Sequence, residues 1–573
     1  MLLARLVEYE RRMATADLVE DVVPPGYIKT RILGFVELDA DRQSFSFVPT
    51  VTQEGRRRVG LLINAPNLRR SSGIAAKLLV DKADYALGIV EDGASERERE
   101  KVTERHRQFV ELVRECAAAT GEAAVKAVLQ FLESEQLKTL RQTQDIAPDD
   151  VVAFRVNGQY VTDIPKVRQF WALRNSGKSG DDGQCLACGR TGRIVRVQSV
   201  PIKGIPGGQT SGTALVSFNK PAFESHGLSQ SFNAPVCDEC DELYAKALNR
   251  LISGEDTSIR VPPICYVFWS REPSTFSPAR LLSRDPEPKD VKALYEATYR
   301  GRQPASVSPN AFYGLGLSAS GGRAVVRDWL ETTVEEAQTN VARFFRLQHI
   351  VPSYGQEPRD FSIYTLARSL VPYRPGRRQQ EEPPSHLVVT LLHMALGGGQ
   401  LPDWLLYQAV KRNRAESVSW QRASLMKLVL QSQDTDSEPN EEGTMDTKTQ
   451  ESPAYLCGRL LAVLEYAQQA AVNPKATLVD RFYGAASSAP ASVFGNLLRN
   501  AQNHLGDLRK NKPGLHNVLQ REMEDVLSKL SGFPSMLNMR DQAVFALGYY
   551  YQRARRWADR ARDVETSSAD SAA

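Results

Sequence analysis

Apolar and polar residues along this chain recur with two different spacings. In M-L-L-A-R-L-V-E-Y-E-R-R charges fall between apolar residues at helical intervals, which predicts an amphipathic helix over residues 1 to about 16 and not a secretion signal. Pro24-Pro25-Gly26 interrupts it. I-K-T-R-I-L-G-F-V-E-L-D then reads as a strand, Asp39-Ala40-Asp41 as a turn, and S-F-S-F-V as a second strand. Helical spacing resumes at about residue 76 and continues, with interruptions, to about 140. Asn157-Gly158, between V-V-A-F-R-V and Q-Y-V-T-D-I, is the strongest hairpin signal in the chain. C-Y-V-F-W-S at 265–270 predicts a buried strand. F-Y-G-L-G-L-S-A-S-G-G-R-A-V-V-R-D-W at 312–329 predicts two strands joined by a Ser/Gly turn. From about 332 helical periodicity dominates, opened by a capping-box-like Thr and Glu in T-T-V-E-E-A.

One composition shift marks a boundary. Residues 431–452 are acidic and lack large apolar residues apart from Met445, which reads as a linker or disordered loop. The expected class is α+β. An N-terminal mixed region with a basic loop covers 1–180, and a cysteine-clamped region with strands covers 181–330. Helices fill 331–430, the acidic linker spans 431–452, and a C-terminal helical bundle occupies 453–573.

At 573 residues the chain exceeds a single core, and 42% hydrophobic with 24% charged residues fits soluble globular domains. The net charge of +4 steers little by itself, so binding to nucleic acid requires local clusters of positive charge. No apolar run reaches membrane-spanning length. Seven cysteines, four of them in two tight pairs, fit a reducing cytoplasm with a metal site better than a disulfide framework. Cys116, Cys265 and Cys457 sit among apolar neighbours and read as small core residues.

The two pairs are Cys185/Cys188 and Cys237/Cys240. C-x-x-C turns each present two sulfurs to one point, the second pair opens a helix, and four thiolates fill a tetrahedral Zn²⁺. Structural zinc is the expectation, with reduced free thiols as the other reading. Between the pairs lies K-G-I-P-G-G-Q-T-S-G, residues 203–212. Its backbone N–H groups suit phosphates or a DNA groove, with Lys203 and Gln209 reaching further; a plain surface loop with turn glycines fits the composition as well.

Arg56, Arg57, Arg58, Arg69 and Arg70 cluster with Asn64, Asn67, Ser71 and Ser72. That mixture positions phosphates and reads base edges, or is a solvated charged loop. Near the C-terminus Arg509 and Lys510, then Arg555, Arg556, Arg560 and Arg562, form basic helix faces suited to a nucleic-acid backbone or to solvent. Ser176-Gly177-Lys178-Ser179 is not a P-loop, since Ala172 stands where the first glycine is needed and no strand precedes it. The histidines are scattered, and His226 has no local metal partner, which argues against a hydrolase.

Several segments resemble the large subunit of the type I-C CRISPR surveillance complex (Cascade). They are L-L-A-R-L-V-E-Y-E, P-P-G-Y with the strand ending E-L-D, R-R-S-S-G-I-A-A-K-L-L-V-D-K-A-D-Y-A-L-G, the run from I-K-G-I-P-G-G-Q-T-S-G through V-S-F-N-K-P-A-F-E-S-H-G to N-A-P-V, A-L-N-R-L-I, V-F-W and F-Y-G-L-G-L-S. The chain departs from that pattern at His226, where relatives often carry Tyr, and in its second cysteine pair, which many relatives lack.

The resemblance implies a non-catalytic cytoplasmic subunit beside the crRNA 5′-end-binding subunit and the Cascade backbone. It would recognise a PAM in double-stranded target DNA, pry the strands apart to start the R-loop, and dock a helicase–nuclease. Asn67, Arg69, Arg70, Ser71, Ser72, Lys203, Gly207, Gly208, Gln209 and Ser211 would meet the PAM duplex. Arg509, Lys510, Arg555, Arg556 and Arg560 would hold the displaced strand. Small subunits would arise by internal initiation at Met445 as a self-contained bundle; Met426 is the weaker start. A zinc-containing DNA-processing nuclease is the alternative from another class.

Overall fold

The computed structural model describes residues 2–15, 23–39, 44–50, 52–54, 57–68, 70, 73–143, 145–175, 182–218, 220–300, 309–353, 356–373, 381–434 and 443–570. It is α+β and divides into two compact units: Met1–Lys203 with Thr210–Arg250, and Gly204–Gln209 with Leu251–Ala573. No described helix is long and apolar enough to cross a membrane.

The first unit is built on a mixed sheet in the order Ser44–Pro49, Gly34–Asp39, Val151–Val156, Val80–Lys82, with Gln159–Tyr160 paired to Val151–Val156. Gly34–Asp39 runs parallel to Val151–Val156, and the other pairs are antiparallel. A parallel pair requires a long crossover. The intervening chain supplies it with the helices Glu96–Thr120, Ala123–Leu132 and Glu135–Thr143. Their Phe109, Val113, Val128, Phe131 and Leu140 pack against Val36, Leu38, Val152 and Phe154 of the sheet. Alternation sends Phe35 and Ala153 to the opposite face, into a smaller core with Ile32 and Ile63.

At the expected hairpin, Asn157 and Gly158 have φ of 49° and 83°, the two left-handed residues of a type I′ turn. The segment expected as one strand over 28–39 is instead two. Tyr27–Ile32 pairs with Leu61–Pro66, whereas Gly34–Asp39 joins the mixed sheet. Leu33 sits at the break, donating its N–H to Val151 (2.9 Å) and accepting from Thr50 (2.9 Å). The region expected as helical from residue 76 first contributes the strand Val80–Lys82.

The second unit carries an antiparallel sheet of Ser258–Val261, Ile264–Ser270, Ala311–Ser320 and Arg323–Thr333, in sequence order. Ile264–Ser270 is buried at every position but its last. The helix Val334–Gln348 follows the last strand, closed by the reciprocal Thr333–Glu336 capping box. Tyr266, Phe268, Phe312 and Leu330 meet Phe344, Phe345 and Leu391 in a core that continues through Leu428, Met445, Leu460 and Phe545 to Ala554.

That continuity corrects the expected linker and the self-contained bundle beyond it. Gln431 to Gln433 finish the Trp420–Gln433 helix, Met445 is only 3% exposed within the shared core, and Thr447–Gln450 is helical; residues 435–442 lie outside the described residues. The physical reason is that Trp420–Gln433 has no solvated face. Even its Ser424, Lys427, Gln431 and Ser432 are buried, so it needs cover on all sides. Lys427 is held by the Leu347 carbonyl (3.3 Å) and Gln431 (2.9 Å), and burial pushes its ammonium down to about 8. The helices of the middle and C-terminal regions therefore share one interior.

Within it, Pro453–Val472 and Met539–Asp570 cross through paired glycines. A Cβ on Gly458 would stand 2.0 Å from the Phe545 carbonyl oxygen, and one on Gly548 would stand 2.1 Å from that of Tyr455. Cys116, Cys265 and Cys457 are buried core residues, as expected.

Candidate metal centre and nucleic-acid interface

The short hairpin Asp182–Gln184/Thr191–Arg193 encloses Cys185 and Cys188 in a tight turn. Gly189, at φ 72°, closes it by donating to the Cys185 carbonyl (2.8 Å). Cys237 precedes and Cys240 opens the helix Asp238–Ser253, as the second C-x-x-C predicted. The hairpin is tied to the segment leading into that helix by Leu186 N–H to the Pro235 carbonyl (2.8 Å) and Val195 N–H to the Val236 carbonyl (3.0 Å).

The four Sγ atoms lie within 4.8 Å of one another, with Cys188 and Cys237 at 3.9 Å. A tetrahedral four-thiolate ion wants sulfurs about 3.8 Å apart. The Cys185 sulfur also accepts the N–H groups of Ala187 and Cys237, each at 3.4 Å, as a ligating thiolate does. The donor set therefore fits a metal ion. Burial would raise the Cys188 thiol, but hydrogen bonds from the Arg190 backbone and side chain and from neighbouring thiols outweigh it and bring it down to about 6. Burial pushes Cys237 up to about 11 and raises Cys240 too. Glu239 ties this corner to the N-terminal helix by pairing with both Arg190 (2.6 Å) and Arg11 (2.6 Å).

The helix that carries Cys240 also roots the glycine-rich loop. Asp241, buried, accepts the N–H and hydroxyl of Ser199 (both 2.7 Å) and the Tyr244 hydroxyl (2.8 Å). Burial raises its carboxyl, and these hydrogen bonds oppose the shift. Two turns on, Asn249 accepts Lys203 N–H (2.8 Å) and donates to the Pro201 carbonyl (3.0 Å). Ile202 and Thr213 close the base of the loop by exchanging backbone bonds of 2.8 and 2.7 Å. Gly212, at φ 104°, is required there, since a Cβ would stand 2.7 Å from Pro201. One rod thus couples the thiol cluster to the N-terminal root of residues 203–212, and Ile202 passes that hold on to Thr213.

Within the first unit Lys203 and Ser211 are exposed. Asn67 donates its N–H to Gly26 (2.8 Å) and its amide to Ser199 (3.4 Å), which brings it beside the loop's root. Arg69, Ser71 and Ser72 lie outside the described residues, as does Arg56. Arg70 is committed inward. It pairs with the buried Asp81, donates to the Ala75 carbonyl (2.7 Å) and lies 3.9 Å over the Tyr85 ring. Sequence reasoning missed Lys77. Burial lowers its ammonium, Asp81 opposes this, and Arg70, Lys203 and Lys82 lower it further, so these four cations share one field. The spacing of Lys77 from Lys203 along the chain concealed this.

Gly204–Gln209 belongs to the second unit. Gly208 donates to the Ile205 carbonyl (3.1 Å) in a turn whose Gly207 has φ 78°. Gly208 pairs with Gly321 at the tip of the Ala311–Ser320/Arg323–Thr333 hairpin, and Gln209 lies under Gly322, where a Cβ would stand 3.4 Å from its side-chain oxygen. The hairpin tip was legible as a Ser/Gly turn, but its partnership with the loop was not. Further along the last strand, Asp328 accepts the Tyr266 hydroxyl (2.6 Å) and faces His393 Nδ1 (3.0 Å).

Among the C-terminal cations, Arg509, Lys510 and Arg555 are exposed. Arg556 instead pairs with Glu522 and stacks 4.2 Å over Tyr466. The backbone at Arg560 and Arg562 is helical. Ser176-Gly177-Lys178-Ser179 lies outside the described residues, and the segment before it is the helix Pro165–Asn175, not the strand a P-loop needs. His226 occupies an exposed turn at φ 54°.

A family model described as CRISPR-associated protein (Cas_Csd1) matches residues 6–557. No curated protein matches the chain.

Proposed function

The chain belongs to the Cas_Csd1 family of CRISPR-associated proteins, a Cascade-type subunit, and from that premise we propose that it is the large, non-catalytic subunit of a type I-C complex. In this reading it recognises the PAM in target duplex, opens the first base pairs of the R-loop and docks the helicase–nuclease. The observation that carries the reading is the glycine loop. It is exposed at Lys203 and Ser211, rooted at its N-terminal end on the Asp238–Ser253 helix, closed at its base by the Ile202–Thr213 pair, and free of bulky side chains over Gly207 and Gly208. A backbone so held approaches a groove closely without paying to become ordered.

Lys203, with Lys77 in the same field, supplies phosphate attraction, and Gln209 and Asn67 supply donors for groove edges. Arg69, Ser71 and Ser72 complete the proposed contact set, with Arg70 assigned to bracing their loop. The ion in the thiol cluster is zinc in this reading. Four sulfurs leave it no open position, so it acts as a staple and not as a nuclease centre. Arg509, Lys510, Arg555 and Arg560 hold the displaced strand, and internal initiation at Met445 supplies small subunits.

The test is binding of PAM-containing duplex by the assembled complex. Lys203→Ala and Arg69→Ala are each expected to weaken it about tenfold, roughly the worth of one charge-assisted phosphate contact, while assembly is retained. Unchanged binding in both variants removes the assignment. Turnover of labelled DNA by the purified chain with Mg²⁺ or Mn²⁺ supports the nuclease instead.

A further inference from the structure

The four sulfurs of the thiol cluster are not equally placed. Cys185 and Cys240 are buried, whereas Cys188 and Cys237 are half-buried. Cys188 ends the tight turn of the hairpin and is followed by the exposed Gly189 and Arg190, while Cys237 follows Val236, which is 1% exposed. An oxidant arriving from solvent therefore meets Cys188 first. Its sulfur stands 3.9 Å from that of Cys237, and the two belong to opposite sides of the cluster, one to the hairpin and the other to the entry of the Asp238–Ser253 helix. The backbone is already joined there, since Ile194, just past the hairpin, pairs with Cys237. The remaining cysteines, Cys116, Cys265 and Cys457, are all buried.

Solvent access and a neighbouring thiol decide which cysteines oxidise reversibly. We propose that Cys188 and Cys237 form a peroxide-sensitive pair, whose disulfide takes the place of a bound ion as the link between hairpin and helix. Cys188 attacks one oxygen of hydrogen peroxide; the O–O bond breaks, the sulfur becomes a sulfenic acid and water leaves. Cys237 then displaces the sulfenic oxygen as a second water, and the S–S bond forms. Counted as thiols, the two sulfurs give up two electrons and two protons, and the peroxide is reduced to two waters. Cys185 and Cys240 remain, too few for a tetrahedral centre. A disulfide within either C-x-x-C turn would leave hairpin and helix with neither a covalent nor a metal link. The Cys188–Cys237 bond crosses between them, so the helix stays anchored and with it the roots at Ser199 and Lys203. The inference rests on the thiol geometry, and on neither the identity of the ion nor PAM recognition.

In the experiment the full-length protein, reduced and loaded with Zn²⁺, is treated with hydrogen peroxide, alkylated under denaturing conditions and mapped by mass spectrometry. The expected main product is one cross-linked peptide pair joining Cys188 to Cys237 and reversed by dithiothreitol, with zinc released and Cys116, Cys265 and Cys457 recovered as free thiols. Amide exchange at Ser199 and Lys203 should stay within about twofold of the zinc-loaded protein, whereas chelation under reducing conditions speeds it about tenfold or more. Cys185→Ser should keep the cross-link, and Cys237→Ser should abolish it and let Cys188 pass on to the sulfinic acid. Far-ultraviolet circular dichroism checks that each variant keeps its helix content. A Cys185–Cys188 or Cys237–Cys240 disulfide as the main product, or zinc loss with no disulfide, overturns the pair. A Cys188–Cys237 disulfide that leaves Ser199 and Lys203 exchanging as fast as after chelation overturns its role as a link.

Discussion

Gly548→Ala isolates the close crossing of two C-terminal helices, Pro453–Val472 and Met539–Asp570. The new methyl would stand 2.1 Å from the Tyr455 carbonyl oxygen, 2.9 Å from its carbon and 3.0 Å from its Cα. All three are backbone atoms, so no side chain can swing aside. Ordinary contact requires the two helices to separate by roughly 1 Å, which forfeits about a quarter to a half of each ~0.1–0.2 kcal/mol atomic contact at the crossing. Over on the order of 40 atom pairs that is about 2 kcal/mol, within the usual ~1–3 kcal/mol for overpacking. Better helix propensity returns about 1 kcal/mol, leaving a net loss of about 1–2 kcal/mol. Gly484→Ala is the control. It is also helical, but a Cβ there meets nothing within 4 Å, so a gain of about 0.5–1 kcal/mol is expected. Native-state hydrogen exchange of amides in Pro453–Val472 reads the opening free energy directly. Equal protection in Gly548→Ala and Gly484→Ala would refute the close-crossing argument.

Cys240→Ser, or removal of metal with a chelator, should abolish bound metal and speed exchange of amides at Ser199 and Lys203, because the same helix carries all these anchors; unchanged exchange with the metal gone would break the proposed coupling. Arg70→Ala should cost about 1–3 kcal/mol in thermal unfolding of the first unit by stranding buried Asp81, and a variant that melts like wild type contradicts the structural role. The His393–Asp328 pair gives the second unit a pH dependence. The hydrogen bond to Asp328 raises His393 above 6.5, so its contribution is complete below that value and is lost as pH rises through the raised one. Burial works against Asp328, but the bonds from His393 and Tyr266 lower it below 3.8, so its share is present above that and fails only in stronger acid. Melting temperature should therefore fall from slightly acidic to alkaline pH, and His393→Gln should flatten the profile; an identical slope in the variant would exclude the pair as its source.

Local rules carried most elements that depend on neighbours in sequence. The Asn157-Gly158 turn, the Thr333–Glu336 box, the buried Ile264–Ser270 strand and the helix opening at the second cysteine pair each announce themselves within a few residues. What escaped is set by distant partners. Leu33 splits two strands because Val151 claims its N–H, and nothing near Leu33 encodes that. Arg70 reads like its neighbour Arg69 until Asp81 and Tyr85 are seen to hold it. Composition suggested a linker at 431–452 because polar residues usually mean solvent. Here Gln431 and Ser432 are buried and hydrogen-bonded, Lys427 to Gln431 and Leu401 to Ser432 (3.0 Å). The thiol site was legible in spacing, whereas the pairing of Gly208 with Gly321 joins residues far apart and was not.

The unbroken interior of the second unit bears on how this gene can change. A polypeptide begun at Met445 would keep the Met539–Asp570 helix but leave behind Trp404–Ala415 and Trp420–Gln433, along with the Arg414–Gln542 bond (2.6 Å) that tethers them to it. Its newly bared flank would have to find a substitute, in another subunit or in a second copy. Each codon there would then be read by two sets of neighbours, and a mutation harmless in one setting would still be screened by the other. Such doubly judged surfaces evolve slowly.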